Sequence, residues 1–200
     1  MKRILYFHGF ASSPASAKIA LLRPMLEPEF ELITPDLNVP SFQKLDWDAI
    51  VRYAKTFDDY DLIAGSSMGA LVALSIAKPN IPLVLIAPAL GIADRWRTML
   101  PDGDPIVVFN HALNAKAPIH RKFFEQMFHV RIDAHAPPSR VTVIMGRNDE
   151  SVPFDLVEQT WNRWKPELAE GSKFIEIADG DHGLTAHAEL IASELRQIAA

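Results

Sequence analysis

The chain has 200 residues, 48% hydrophobic and 22% charged, enough for one domain with a substantial core and too apolar for a disordered segment. Its formal net charge is -5, from 25 acidic and 20 basic residues, and no Lys/Arg run stands out, which sets nucleic acid aside as a partner. Cysteine is absent, so disulfides, thiolate catalysis and cysteine-ligated metal are excluded.

Met1-Lys2-Arg3, then "ILYF" and "ASSPASA", follow the charged, apolar and small-residue order of a secretory signal, but the apolar part is short and His8-Gly9 interrupts it. Residues 4–7 read instead as a strand. No apolar run approaches the roughly 20 residues of a membrane-spanning helix. The expected setting is cytoplasmic, with no membrane partner. In the following loop, "HGFASS", Gly9 allows a sharp turn that would aim the amide of Phe10 outward. His8 reads as a structural hydrogen-bonder rather than a base. Ser12 and Ser13 either cap the next helix or touch a substrate.

Residues 31–34 form the next β-like run. Trp47, Ile50, Val51, Ala54 and Phe57 then recur at helical spacing on one face. "DLIAG" reads as a strand and "MGALVALSIA" as a helix, and between them stands "GSSMG". Ser67 has Gly65 two residues before it and Gly69 two after, the G-x-S-x-G pattern; Ser66 is flanked at those distances by Ala64 and Met68 and does not fit. A nucleophile raised on a strand-to-helix turn is strained, and side chains at the i±2 positions would collide with the strand or the helix. The pattern is short, and weighs only with its context.

After the run at 83–87 the rhythm fails. Residues 90–138 carry five prolines around helix-like pieces, one of them "RKFFEQMF", and are too long for a crossover and too apolar for a linker. They read as a lid-like helical insertion packed over the sheet's edge. Phe123, Phe124, Met127 and Phe128 give it an apolar side that either completes the core or, through Phe124 and Phe128, walls a substrate pocket with His8 and Ser12. Arg95, Trp96 and Arg97 open the insertion, as a solvated basic cluster or a receiver of an acidic substrate group. Asp102-Gly103-Asp104 lacks the further ligands of a calcium loop and reads as a surface turn.

Residues 141–145 resume the strand pattern, and the loop "GRNDESVP" after them carries Asp149. Val157, Trp161 and Trp164 mark a helix. The run at 174–178 leads into "DGDHGL" with His182, and Leu184, Ala188, Ile191, Leu195 and Ile198 form the apolar seam of a last helix. Glu150, Asp179 and Asp181 are nearby alternatives for an acid, and His187 falls at the start of that helix.

Alternating strands and helices predict a single α/β domain over 1–200, with about six mostly parallel strands and helices on both faces. A serine hydroxyl needs a base, and the base an orienting acid; in this architecture they follow in the order Ser, Asp, His, each on a loop past a strand. Ser67, Asp149 and His182 meet that order. The amides of Phe10 and Met68 are the expected pair of donors for an oxyanion.

"ILYFHGF", "TPDL", "GSSMGA", "GRNDESVP" and "GDHGL", in this order and spacing, resemble an α/β-hydrolase over nearly the whole chain. The early "YFHGFASSPASAKIALL" and the small size are most similar to the compact bacterial YqiA-like esterases. The resemblance implies Ser67 as nucleophile, Asp149 as acid, His182 as base and the Phe10 and Met68 amides as oxyanion donors. It also implies a trimmed sheet, since the first two strands of larger members have no counterpart before residue 4. The expected function is hydrolysis of a small carboxylic ester through an acyl-enzyme, with a small-molecule ester or thioester as partner and neither metal nor organic cofactor. A thioesterase, amidase or carbon–carbon hydrolase with the same residues, or a non-catalytic binding protein on this scaffold, are the alternatives. The state is expected to be monomer or homodimer.

Overall fold

The computed structural model describes residues 1–27 and 29–199. β1 (Lys2–Phe7) is followed by α1 (Ala17–Leu26), β2 (Phe30–Ile33), α2 (Trp47–Ala54), β3 (Leu62–Ser66), α3 (Met68–Ser75) and β4 (Leu83–Ile86). The irregular region holds α4 (Ile92–Met99), β5 (Ile106–Asn110), β6 (Ala115–Ile119) and α5 (Arg121–Met127). The chain returns through β7 (Val141–Gly146), α6 (Phe154–Trp164), β8 (Lys173–Ile177) and α7 (Ala188–Ala199).

Six strands form one parallel sheet in the order β2-β1-β3-β4-β7-β8. This is the expected architecture, with no strand boundary displaced by more than two residues. Ile4, Leu5, Tyr6 and Phe7 point alternately to opposite faces of the sheet, yet none is more than 1% exposed, so both faces are covered. α3 is apolar all round, buried along almost its whole length, and lies against β1, β3 and β4. α1 packs on α7, and α2 on α3. The Asp46 carboxylate caps α2 by accepting the Ala49 N–H at 3.0 Å, a bond that holds its proton affinity below the usual carboxylate range.

Topology places the site. The chain leaves β1 toward β2 on one side and comes back to β3 on the other, so the strand order reverses between β1 and β3 and a crevice opens past their carboxyl ends. Because the sheet is parallel, the loops after β7 and β8 leave from the same edge.

Residues 90–138 cross that edge. Besides α4 and α5 they hold an antiparallel hairpin, β5-β6, which the proline-punctuated sequence had not marked as strands. The reason is that only Ile106 and Asn110 in β5, and Ala117 and Ile119 in β6, are buried, so no sustained alternation shows, and Pro118 is tolerated because a two-stranded ribbon has free edges. Backbone bonds tie the region down: the His111 N–H donates to Ala11 O at 2.8 Å, and the His120 N–H to Gln43 O at 2.9 Å. Gln126 bridges to α2, donating to Asp46 Oδ2 at 3.1 Å and accepting the Trp47 N–H at 3.0 Å. Among the described residues no helix is long and apolar enough to cross a membrane.

Candidate active site

Ser67 stands between β3 and α3 with φ 55° and ψ -120°, the left-handed half of the map where an L-residue costs about 1–3 kcal/mol. Its surroundings hold it there. The Ser67 N–H donates to Ile86 O at 3.0 Å, and Ser67 O accepts from the amides of Ala70 and Ala89. The flanking glycines have no alternative. A Cβ on Gly65 would lie 2.3 Å from Gly69 O, and one on Gly69 only 2.2 Å from Phe7 O. Strand, elbow and helix therefore pack backbone to backbone.

A second pair of glycines joins the other two loops. A Cβ on Gly146 would meet Gly180 O at 2.2 Å, and the Asn148 N–H donates to Gly180 O at 2.9 Å. That contact aligns the loop after β7 with the loop after β8. Asp149, its side chain without solvent exposure, uses one oxygen to accept the amides of Ser151 and Val152 at 2.9 and 2.7 Å. Its other oxygen is 2.7 Å from His182 Nδ1. His182 Nε2 lies 3.1 Å from Ser67 Oγ.

The direction of this chain follows from the acid. An ionised carboxylate only accepts, so Nδ1 carries the imidazole proton and donates it to Asp149. Nε2 is then the unprotonated nitrogen, facing the Ser67 hydroxyl. An imidazole so placed can take the hydroxyl proton as the oxygen attacks an electrophile.

Phe10 and Met68 border the same cavity as Ser67. The Met68 N–H is at the first position of α3, where a helix offers it no acceptor. The loop after β1 touches Ser67, since a Cβ on Gly9 would be 3.2 Å from Ser67 Cβ, and the Phe10 N–H follows directly. Among the described residues neither amide has an acceptor.

Ser67 and His182 open into a cavity of about 690 Å³, between the sheet edge and residues 90–138. Phe10 anchors its aromatic wall: its ring stacks on Phe123 at 5.7 Å and meets Trp96 and Phe124 edge-on at 5.5 and 5.8 Å. Phe124 and Met127 line the cavity while being almost fully buried, so α5 completes the core and walls the pocket at once.

The remaining candidates fall as follows. His8 borders the cavity but is fully engaged: Nε2 accepts the Leu37 N–H at 2.9 Å, which leaves Nδ1 to donate to Gly9 O at 2.8 Å. Burial pushes its proton affinity down, so it holds the loop as a neutral imidazole. Ser12 borders the cavity, and its carbonyl accepts from Asn38. Neither Ser12 nor Ser13 caps α1; Ser16 does, accepting the Ile19 N–H. Phe128 does not line this cavity and instead lies under the Arg97 guanidinium, 5.7 Å from its ring centre. Arg95 borders a separate cavity. Glu150 is exposed, Asp179 pairs with His187, and Asp181 accepts the Leu184 N–H, so none of these acids reaches His182 Nδ1.

Sequence reasoning missed three polar residues of the cavity wall. Lys18 is buried and donates to Ser66 Oγ at 2.8 Å, and Tyr6 lies beside them. Ser66 lacks the glycine spacing that singles out Ser67 in the sequence.

A family model described as "Uncharacterised protein family (UPF0227)" matches residues 3–198. Among solved structures the chain is similar to Est1E from Butyrivibrio proteoclasticus with ferulic acid bound, 18% identical at a TM-score of 0.72, covering 100% of this chain and 90% of that one. It is also similar to alpha/beta hydrolase domain-containing protein 10 from mouse, 17% identical at a TM-score of 0.72, covering 98% and 88%. The esterase domain of a Rhodothermus marinus protein is 16% identical at a TM-score of 0.70, covering 100% and 88%. At these identities the likeness is one of fold, and the fold is that of the α/β hydrolases.

Proposed function

The chain belongs to that uncharacterised family and has the α/β-hydrolase fold, and from this premise we propose that it is a serine hydrolase cleaving a small carboxylic ester through Ser67, His182 and Asp149. The observation that carries the reading is the continuous path from Asp149 Oδ2 to His182 to Ser67 Oγ, at 2.7 and 3.1 Å, on a strained elbow inside a cavity. The strain is informative because a structural serine has no need of it.

In this reading the Ser67 oxygen attacks the ester carbonyl while His182 Nε2 takes its proton. The imidazolium is stabilised by Asp149, and the oxyanion sits against the amides of Phe10 and Met68. Collapse of the tetrahedral intermediate breaks the bond to the alcohol, which leaves with the His182 proton, and an acyl-enzyme remains on Ser67. Water, deprotonated by His182, then releases the acid. No step calls for a cofactor.

Residues 90–138 act as the lid-like part of the site, with Phe124, Trp96 and Phe10 receiving the apolar portion of the substrate. Turnover of p-nitrophenyl esters of increasing acyl length, with an acyl-CoA and an acyl anilide alongside, tests both points on wild type and Phe124→Ala. The expected result is ester turnover, with the preferred acyl chain longer in Phe124→Ala because the cavity is deeper. Preference for the thioester or anilide would move the reading to another acyl hydrolase. Turnover of none of the three would contradict it.

A further inference from the structure

One group in the cavity has no part in the mechanism. Lys18, in the first turn of α1, is 8% exposed, and Tyr6 of β1 is 1% exposed; both line the cavity that holds Ser67. Lys18 donates one of its three N–H bonds, to Ser66 Oγ at 2.8 Å. Among the described residues no carboxylate forms an ion pair with it. The Tyr6 hydroxyl faces Ser66 without hydrogen-bond geometry and is an unpartnered buried donor.

A buried ammonium without a counter-ion is unfavourable, and so is a buried hydroxyl without a partner. Buried polar groups are as a rule hydrogen-bonded, so two such groups in one cavity wall call for an explanation, and a bound ligand group supplies one. Burial pushes the Lys18 ammonium down to about 8, even though the charges of Asp149 and Asp181 act in the opposite direction. The arginines at 95 and 97, by contrast, are turned to other cavities and partners.

We propose that Lys18, Tyr6 and Ser66 form a subsite for a carboxylate on the substrate, so that the preferred ester carries a free carboxylate a short chain away from the bond that is cleaved. This rests on the serine hydrolase reading and specifies its substrate class. The two free N–H bonds of Lys18 match the two oxygens of a carboxylate, and the Tyr6 hydroxyl, closed to solvent, backs them. A phosphate would bring a further oxygen and a second charge, for which the cluster has no second cation. The spacer is short because Ser66 and Ser67 are adjacent, with Cα atoms about 3.8 Å apart.

The test compares the monomethyl esters of succinate, glutarate and adipate with neutral isosteres in which an isopropyl group replaces the carboxylate, such as methyl 5-methylhexanoate. Wild type is expected to prefer at least one hemiester. Lys18→Met, which keeps the stem and removes the charge, should lower kcat/KM for that hemiester about 10- to 100-fold more than for its isostere, and Tyr6→Phe should do so to a smaller degree. A pH profile adds a second readout. Ser66 accepts a bond from Lys18, the charges of Asp149 and Asp181 act on it, and Tyr6, His8 and His182 border the same cavity. Titration of His182 acts on both esters, so the ratio of their kcat/KM values isolates Lys18. That ratio should be highest below pH 8, fall as pH rises through about 8, and be flat in Lys18→Met.

Equal losses on both esters would show that Lys18 only positions the elbow through Ser66, and would overturn the proposal, as would no loss on either. Calorimetric binding of the hemiesters to Ser67→Ala, weakened when Lys18→Met is added, reads the subsite without turnover. Binding without hydrolysis by wild type would therefore contradict the enzyme and keep the carboxylate site; hydrolysis without carboxylate preference would do the reverse.

Discussion

Ser67→Ala is expected to lower kcat for p-nitrophenyl acetate by roughly 10⁶-fold, the scale on which a serine hydrolase loses its nucleophile. The physical reason is that removal of one oxygen abolishes the covalent route. His182 and Asp149 are left intact but with no hydroxyl to activate. The amides of Phe10 and Met68 remain, so a residual rate about 10³- to 10⁴-fold above the uncatalysed one should persist. KM should change little, because Oγ touches bound substrate only during reaction. His182→Ala should lose a similar amount, and combining the two should add almost nothing, since the residues act as one unit. Steady-state kinetics with a thermal unfolding control measures this. A loss under tenfold in a folded Ser67→Ala protein would contradict the mechanism.

Asp149→Asn should cost about 10⁴-fold in kcat while leaving the fold in place. One carboxylate oxygen accepts the amides of Ser151 and Val152, and the asparagine carbonyl can keep both bonds. Its NH₂ then takes the position 2.7 Å from His182 Nδ1. A donor there compels Nδ1 to accept, which moves the imidazole proton to Nε2 and points it at Ser67. The base is present in the wrong tautomer. Kinetics paired with ¹⁵N resonances of the His182 ring check cause and consequence together. Activity within tenfold of wild type, with Nδ1 still protonated, would remove Asp149 from the mechanism.

Much of this architecture is readable from residue order. Strands buried on both faces must be continuously apolar, so the runs at β1, β4 and β7 stand out without any partner in view. In a parallel sheet every strand delivers its following loop to one edge, which is why residues as distant as Ser67, Asp149 and His182 could be expected together and do meet in the structure. The two elbow glycines also have a local cause, in the collisions a Cβ would make.

What sequence could not carry is packing between elements that share no period. The β5-β6 hairpin is half exposed and interrupted by Pro118, so nothing alternates clearly. Phe128 lies on the same short helical stretch as Phe124, yet α5 ends at Met127 and the Phe128 ring turns to Arg97. Lys18 and Ser66 are 48 residues apart, and a lysine near the start of a helix reads as a solvated one. Only the fold shows that the Lys18 side chain reaches the end of β3.

The most direct measurement is to react the folded protein with a fluorophosphonate and locate the adduct by peptide mass spectrometry. A single phosphonyl group on Ser67, with none on Ser66, is the expected result, because Ser66 Oγ is bound by Lys18 and the Ser67 hydroxyl has His182 Nε2 beside it. An adduct elsewhere, or none on folded protein, would contradict the account.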